Sequence, residues 1–261
     1  MKIAFIIHLL LLVSIARSEI DKEICAIIVG CNLKPIVGCK NHDQLGPQRC
    51  TEAHELYERG LDPTDVKNAD VYDFLGHDLR IVYDVERDLP IKPKQLLFML
   101  NDLPLATKIV SRVRMTPYIF EYTSKDHRSF NIAKGEEAKG KARMISGSPD
   151  EGTIYYFGIG SINMGLIRAT GPALVRFSYS AIPGKPYMVR CRMKVVIVMN
   201  NKVMGSFLNI GIVRHRIIEK IDQILNDVSE SVWSIKKNDY MRDESWDPED
   251  LKNIREFINM E

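Results

Sequence analysis

The stretch that decides the fold is Tyr187-Met-Val-Arg-Cys-Arg-Met-Lys-Val-Val-Ile-Val-Met199. Every second residue from Val189 onward is apolar, and the residues between them are basic in the first half of the stretch. Because the side-chain period of a β-strand is two, this alternation predicts a strand with one buried face and one wet face. Cys191 then points inward, where a reduced thiol behaves as a small hydrophobe.

A long amphipathic helix is predicted after this strand, which Asn200-Asn201 breaks. The apolar residues of the helix recur at intervals of three and four, which is the spacing of one continuous helix face. They are Val203, Phe207, Ile210, Val213, Ile217, Ile221, Ile224, Val228 and Val232. A stripe of this length needs a large apolar partner, and the sheet is the one that the sequence predicts.

Upstream, the sequence predicts one strand, two short helices and a run of further strands. The first strand begins at Leu79, and Pro93 and Pro104 open the two helices, at positions where a missing N–H costs no helical hydrogen bond. Turn signals rich in glycine and proline separate the strands that follow. These strands are predicted at 118–122, 130–133, 139–145, 153–159 and 173–182.

This order of elements resembles the helix-grip fold of START-like and Bet v 1-like (SRPBCC) proteins. Leu89-Pro-Ile-Lys-Pro-Lys-Gln-Leu-Leu97, with Leu103-Pro-Leu-Ala106 after it, is similar to the passage from the first strand into the helix pair. The resemblance covers about Leu79 to Val228. It implies an α+β fold in which a curved antiparallel sheet wraps a long C-terminal helix and encloses a cavity. Members of these families bind lipids, sterols or aromatic polyketides, and a minority are cyclases or hydrolases.

The inward strand positions and the helix stripe supply the candidate ligand-binding residues. A pocket of this kind is mainly apolar, and methionines adapt to irregular apolar ligands. The candidates are Met144, Tyr156, Val175, Phe177, Tyr179, Met193, Ile197, Phe207 and Ile210. For any single candidate, ordinary core packing is the competing interpretation.

No catalytic residue, metal site or cofactor is predicted. The sequence contains no Ser-His-Asp, Cys-His or paired-carboxylate pattern. His54 and Glu58 are spaced for one helix face, but no third metal ligand accompanies them. Gly158-Ile-Gly160 does not match a dinucleotide-binding loop and is expected to form bends of a curving sheet.

The first eighteen residues, MKIAFIIHLLLLVSIARS, predict a secretory signal peptide that is cleaved after Ser18. An uncleaved membrane anchor is the alternative, although the apolar stretch is shorter than the roughly 20 residues that a span needs. Removal of Lys2 and Arg17 lowers the 36 basic residues to 34, which equals the 34 acidic ones. A neutral mature chain does not suggest nucleic acid as a partner.

Four of the five cysteines lie early in the mature chain, and in an exported protein they predict two disulfides with three possible pairings. They are Cys25, Cys31, Cys39 and Cys50. We therefore expect a signal peptide at 1–18, a disulfide-bearing N-terminal extension at 19–76, a START-like helix-grip domain at 77–235 and a tail with a short helix at 236–261.

The outward face of the predicted sheet is basic. It could meet an anionic membrane surface or an acidic partner, or it could be a solvated face on which charges discourage aggregation. The residues concerned are Lys139, Lys141, Arg143, Arg176, Arg190, Arg192 and Lys194.

The sequence thus predicts a secreted or periplasmic carrier of a lipid-like or other hydrophobic small molecule. One alternative is a cyclase- or hydrolase-type enzyme on the same scaffold, which would use Asn163, Arg168 or Tyr179. A further alternative is a secreted interaction protein whose core is filled. In the carrier, the long helix and the loops near Ser161 to Thr170 would gate the cavity.

Overall fold

The computed structural model describes residues 47–62, 65–76, 80–163, 168–198, 211–235 and 246–260. The chain forms two compact units, Met1–Asp78 and Leu79–Glu261. The signal peptide and three of the four N-terminal cysteines lie outside the described residues. The four-part domain division and the two disulfides therefore stay predictions.

The described part of the first unit contains two helices joined by a short 3₁₀ turn. They are α1 (Pro47–Glu58), a 3₁₀ turn (Val66–Asn68) and α2 (Ala69–Gly76). Helix α1 begins at Pro47, so Cys50 lies in its first turn. Tyr72 is fully buried, and its hydroxyl donates a hydrogen bond to the carbonyl oxygen of Leu61 over 2.7 Å.

The second unit is built on one antiparallel sheet of seven strands. The strands are β1 (Arg80–Leu89), β2 (Tyr118–Tyr122), β3 (Ser129–Lys134), β4 (Ala138–Ser148), β5 (Thr153–Asn163), β6 (Arg168–Ile182) and β7 (Lys185–Val198). Their order across the sheet is β1-β7-β6-β5-β4-β3-β2, so β1 and β2 are the two edges. Each predicted strand is present, and most extend beyond their predicted ends.

Three helices of the second unit are connected directly to the strands of this sheet. Helices α3 (Pro93–Asn101) and α4 (Leu103–Arg114) connect β1 to β2, and α5 (Gly211–Ile235) follows β7. The Asp102 carboxylate caps α4 by accepting a hydrogen bond from the backbone N–H of Leu105 over 3.0 Å. This is the α+β order of strand, helix pair, strand run and long helix that the sequence predicts.

Gly158 and Gly160 lie inside β5 rather than in the bends expected from the sequence. A β-carbon at Gly158 would stand 2.2 Å from the carbonyl oxygen of Lys141 on β4. No side chain fits at that distance, so glycine allows the two strands to approach closely where the sheet curves.

The tail helix α6 (Pro248–Asn259) packs on the helix pair. Asp247 caps its start by accepting a hydrogen bond from the backbone N–H of Glu249 over 2.9 Å. The Gln95 side chain on α3 donates a hydrogen bond to the carbonyl oxygen of Phe257 over 2.8 Å. Phe257 is fully buried in an apolar cluster that joins α3, α4, α6 and the ends of β1 and β7.

Candidate ligand-binding cavity

A cavity of about 530 Å³ lies against the concave face of the sheet in the second unit. Its wall combines residues of the strands with residues of α3 and α4 and with Val228 of α5. Concave-face side chains such as Val175, Met193 and Ile197 are only partly buried, although they occupy the middle strands. The described side chains therefore leave part of the inside of this domain unfilled.

The floor of the cavity is a patch of glycine and alanine on three neighbouring strands. Across β4, β5 and β6, Ala142 lies beside Gly158, and Gly158 lies beside Ala173. Two residues further along the strands, Gly140, Gly160 and Gly171 lie beside one another in the same way. All six residues line the cavity. With strands about 4.8 Å apart and same-face residues about 6.8 Å apart, this Gly/Ala floor measures roughly 10 by 7 Å.

Larger apolar side chains surround the Gly/Ala floor. On the β2–β3 side they include Phe120 and Ile132, and on the β6–β7 side Phe177 and Met193. Helices α3 and α4 add Leu96, Met99, Leu100, Leu103, Ala106 and Val110. The cavity is thus apolar over most of its wall.

A buried charged cluster lies beside the cavity where β2 and β3 meet α5. Asp227 and Lys134 are 3% and 5% exposed, and the Lys134 Nζ stands 3.4 Å from the Asp227 Oδ2. Tyr118 donates a hydrogen bond to the same Oδ2, and the Arg114 Nε donates one to Oδ1 over 3.0 Å. Burial by itself raises the pKa of Asp227, but the hydrogen bonds from Tyr118 and Arg114 and the charge of Lys134 outweigh it, so the pKa is lowered.

Lys134 has an unusual environment within this cluster. Its Nζ is buried and makes no hydrogen bond to any residue in the described ranges. It lies 5.5 Å from the centre of the Tyr118 ring and 3.6 Å from a carboxylate oxygen of Glu137. Two carboxylates and the face of an aromatic ring thus balance the charge of Lys134.

A second ionic contact joins α5 to the opposite edge of the sheet. The hydroxyl of Tyr83 and the guanidinium of Arg87, both on β1, donate hydrogen bonds over 2.6 Å to the Oδ1 of Asp222. The hydrogen bond from Tyr83 is the largest cause of the lowered pKa of Asp222. This contact is more exposed than the first, since the Asp222 side chain is 34% exposed.

Two weakly polar groups also line the cavity. The Tyr156 hydroxyl makes no hydrogen bond to the described residues, and burial raises its pKa to about 12. The Cys191 thiol is free, and burial likewise raises its pKa to about 12. A thiol in this state is a poor nucleophile, which agrees with the structural role expected from the sequence.

The structure places seven of the nine candidate ligand-binding residues, and strand register puts all seven on the concave face. Five of them line the cavity: Tyr156, Val175, Phe177, Met193 and Ile197. Met144 and Tyr179 lie on the same face outside the cavity, and the Tyr179 hydroxyl donates a hydrogen bond to the carbonyl oxygen of Pro149. Phe207 and Ile210 lie outside the described residues. As ligand contacts, all nine stay predictions.

Of the three polar residues named for the enzyme alternative, Asn163 and Tyr179 do not line the cavity. Asn163 is exposed at the end of β5, and Tyr179 is engaged by Pro149. The side chain of Arg168 is not described. Within the described ranges, no three His, Cys, Asp or Glu side chains come together as metal ligands.

The basic outward face is partly neutralised by the edge strand β1. Arg190 forms an ion pair with Asp88 at 3.0 Å, and Arg192 donates two hydrogen bonds to Asp84, over 2.9 and 2.7 Å. Lys139 pairs with a neighbouring glutamate in the same way. The alternation of residues could not reveal the pairing with Asp84 and Asp88, because both lie on a strand about a hundred residues earlier in the sequence. Contact with an anionic membrane stays a prediction.

Among the helices in the described ranges, none combines the length and apolar character needed to cross a bilayer.

Sequence reasoning missed the Gly/Ala floor and the Lys134–Asp227 pair. The signal for the floor was present in the alternation Ala138, Gly140, Ala142, which puts only small residues on one face of a strand. Lys134 has inward parity on β3, but its partner is distant in sequence, so the pair emerges only from the fold.

Together, the fold and the cavity define a helix-grip protein with an apolar interior. Solved structures with a similar fold include Ara h 8.0201, at 10% identity and a TM-score of 0.42, covering 59% of this chain and 99% of that one. A conserved protein from Geobacillus kaustophilus has 11% identity and a TM-score of 0.40, covering 58% and 97%. Norcoclaurine synthase from Thalictrum flavum, solved with dopamine and hydroxybenzaldehyde, has 10% identity and a TM-score of 0.40, covering 59% and 87%. No protein-family model and no curated protein sequence matches the chain.

Proposed function

We propose that this chain is an exported carrier that binds a lipid-like or other hydrophobic small molecule in the cavity of its second unit. The observation that carries the proposal is the apolar cavity of about 530 Å³ between the concave sheet and the helices. Ligand pockets of proteins commonly measure about 300–1,000 Å³ and are mainly apolar. An empty apolar volume of this size is costly for a fold, because a residual cavity destabilises the native state in proportion to its volume.

A carrier is favoured over an enzyme by the chemistry of the wall. The titratable groups beside the cavity are committed to one another, with Asp227 held by Tyr118, Arg114 and Lys134. The filled-core alternative is disfavoured by the cavity itself. Export is supported by the signal-peptide pattern of the first eighteen residues alone.

Binding is tested by native mass spectrometry of the chain purified from a secretory host, before and after extraction with organic solvent. We expect a mass excess that extraction removes, and binding of 8-anilinonaphthalene-1-sulfonate by the extracted protein. Val175→Trp places a large ring inside the cavity and should weaken both signals, whereas Ser180→Trp places the same ring at an exposed position of β6 and should leave them intact. Absence of both signals in the unmodified protein would overturn the proposal.

Export is tested on the same preparation by N-terminal sequencing. We expect the secreted chain to begin at Glu19. Retention of the chain inside the cell with an intact N-terminus would contradict export and leave ligand binding to be judged by the first experiment.

A further inference from the structure

Helix α3 is a short part of the cavity wall that depends on its neighbours. It has nine residues, and isolated helices shorter than about 12–15 residues are marginal in water. Its Leu96, Met99 and Leu100 line the cavity, so this side of the helix faces the space that a ligand would fill. The position of α3 therefore depends on the elements that pack on its remaining surface, which include α4, α6 and β7.

The tail helix α6 covers the side of the helix pair that faces away from the cavity. Ala106 and Val110 of α4 line the cavity. Lys108 is two residues from each of them and therefore about 200° around the helix. Its Nζ lies 2.7 Å from the Oδ2 of Asp250 in the first turn of α6. The wall formed by α3 and α4 thus lies between the cavity and α6.

The C-terminal end of α6 is bound by the first turn of α3. The Gln95 side chain donates a hydrogen bond to the carbonyl oxygen of Phe257 over 2.8 Å, and the Lys92 Nζ donates one to that of Met260 over 3.0 Å. Carbonyl groups at the end of a helix have no partner within it, and a cation is favourable there. The ring of Phe98 on α3 packs 6.2 Å from that of Phe257. Helix α6 therefore holds α3 by polar and apolar contacts together.

We infer that α6 controls the exchange of ligand through the α3 wall: the cavity opens when α6 leaves α3, and it closes when α6 returns. The inference rests on the proposed carrier function and adds the route by which a ligand enters and leaves. A rarely populated open state limits both directions of exchange. Weaker contacts of α6 should therefore raise the association and dissociation rates by the same factor and leave the dissociation constant unchanged. A purely structural role of α6 would not produce this common factor.

The double variant Lys92→Met/Lys108→Met tests this role, because it removes one cationic contact at each end of α6. Lys94→Met/Lys252→Met is the matched control, since it removes the same charge from exposed positions of α3 and α6. Stopped-flow fluorescence of 8-anilinonaphthalene-1-sulfonate with the extracted full-length chain measures both rates. We expect both to rise about tenfold in the first variant, as the loss of hydrogen bonds from charged donors implies, and to stay unchanged in the control. Equal rates in the two double variants would overturn the role of α6.

A second pair of variants separates release of α6 from general loss of stability. Phe257→Ala and Ile154→Ala each truncate a fully buried side chain that lies outside the cavity wall, the first on α6 and the second on β5. Both should lower the melting temperature, and Phe257→Ala alone should accelerate exchange of the probe in both directions. Equal acceleration by the two variants would mean that exchange follows global unfolding, which would overturn the inference.

Hydrogen–deuterium exchange detects the same opening without a ligand. Amides of α3 should exchange faster in Lys92→Met/Lys108→Met than in Lys94→Met/Lys252→Met, whereas amides of β5 should exchange equally in both, since local opening leaves the sheet intact. Unchanged protection of α3 would overturn the inference and leave the carrier function standing. Absence of probe binding in the unmodified protein and in every variant would overturn the carrier function and the inference together.

Discussion

The hydroxyl of Tyr118 donates a hydrogen bond to the Oδ2 of Asp227 over 2.5 Å and thereby ties the edge strand β2 to α5. At the other edge of the sheet, Tyr83 on β1 donates an equivalent bond to Asp222 of the same helix. An open sheet therefore has both of its edges fastened to one helix by tyrosine–carboxylate pairs. The two pairs differ in burial, so their contributions to the free energy of unfolding should differ and can be measured separately.

Asp227→Asn should destabilise the second unit far more than Asp222→Asn. Removal of the Asp227 charge leaves Lys134 buried opposite a neutral amide, and breaking a buried pair typically costs about 3–5 kcal/mol. Asp222 is partly exposed, so its loss should cost about 1 kcal/mol. The measurement is urea-induced unfolding of both variants at pH 7, and equal losses would show that burial of the Asp227 cluster has no energetic role.

The stabilisation provided by Asp227 should depend on pH in the acid range. Its pKa in the folded protein is lowered, so its contribution is fully present above the unfolded pKa of about 4 and is lost as the pH falls through the folded value. The difference in unfolding free energy between the unmodified protein and Asp227→Asn should therefore shrink steadily below about pH 4. Urea titrations at several pH values between 7 and 2.5 measure it. A constant difference would contradict a lowered pKa.

The tail helix α6 should be an integral part of the second unit. Phe257→Ala removes a fully buried ring that packs 6.2 Å from the ring of Phe98, and such truncations typically cost about 3–5 kcal/mol. Glu256→Ala, one residue away and exposed, is the matched control and should change stability by less than about 0.5 kcal/mol. Thermal unfolding of both variants provides the comparison, and similar melting temperatures would mean that α6 is dispensable.

Strand parity was sufficient to predict the concave face but not the position of the cavity along it. Met144 and Tyr179 have inward parity, as predicted, and still lie outside the cavity. A period of two specifies which face a side chain occupies, whereas its distance from a cavity depends on strand register and on irregularities. One such irregularity shifts the pairing of β4 and β5 between Met144 and Ser146.

The elements that the sequence did not reveal are those that depend on distant partners. Helix α2 is eight residues long, and short helices owe most of their stability to tertiary packing rather than to propensity. Strands β4 to β7 lie between Lys134 and Asp227 in the sequence. The parity of β3 turns Lys134 inward, but no local signal identifies Asp227 as its partner. The long helix after β7 and the helix pair were predictable because caps, prolines and a 3.6-residue period are local signals.

Cys191 should be the single thiol of the folded, exported protein and should be unreactive. Burial raises its pKa to about 12, so at pH 8 almost no thiolate is present. Ellman's reagent should detect no thiol in the native protein and one per chain in 6 M guanidinium chloride without reductant, because the predicted disulfides would occupy the other four cysteines. Cys191→Ala is the control and should give no thiol under either condition. Release of five thiols by denaturant alone would disprove the disulfides, whereas rapid reaction of the native protein would disprove the burial of Cys191.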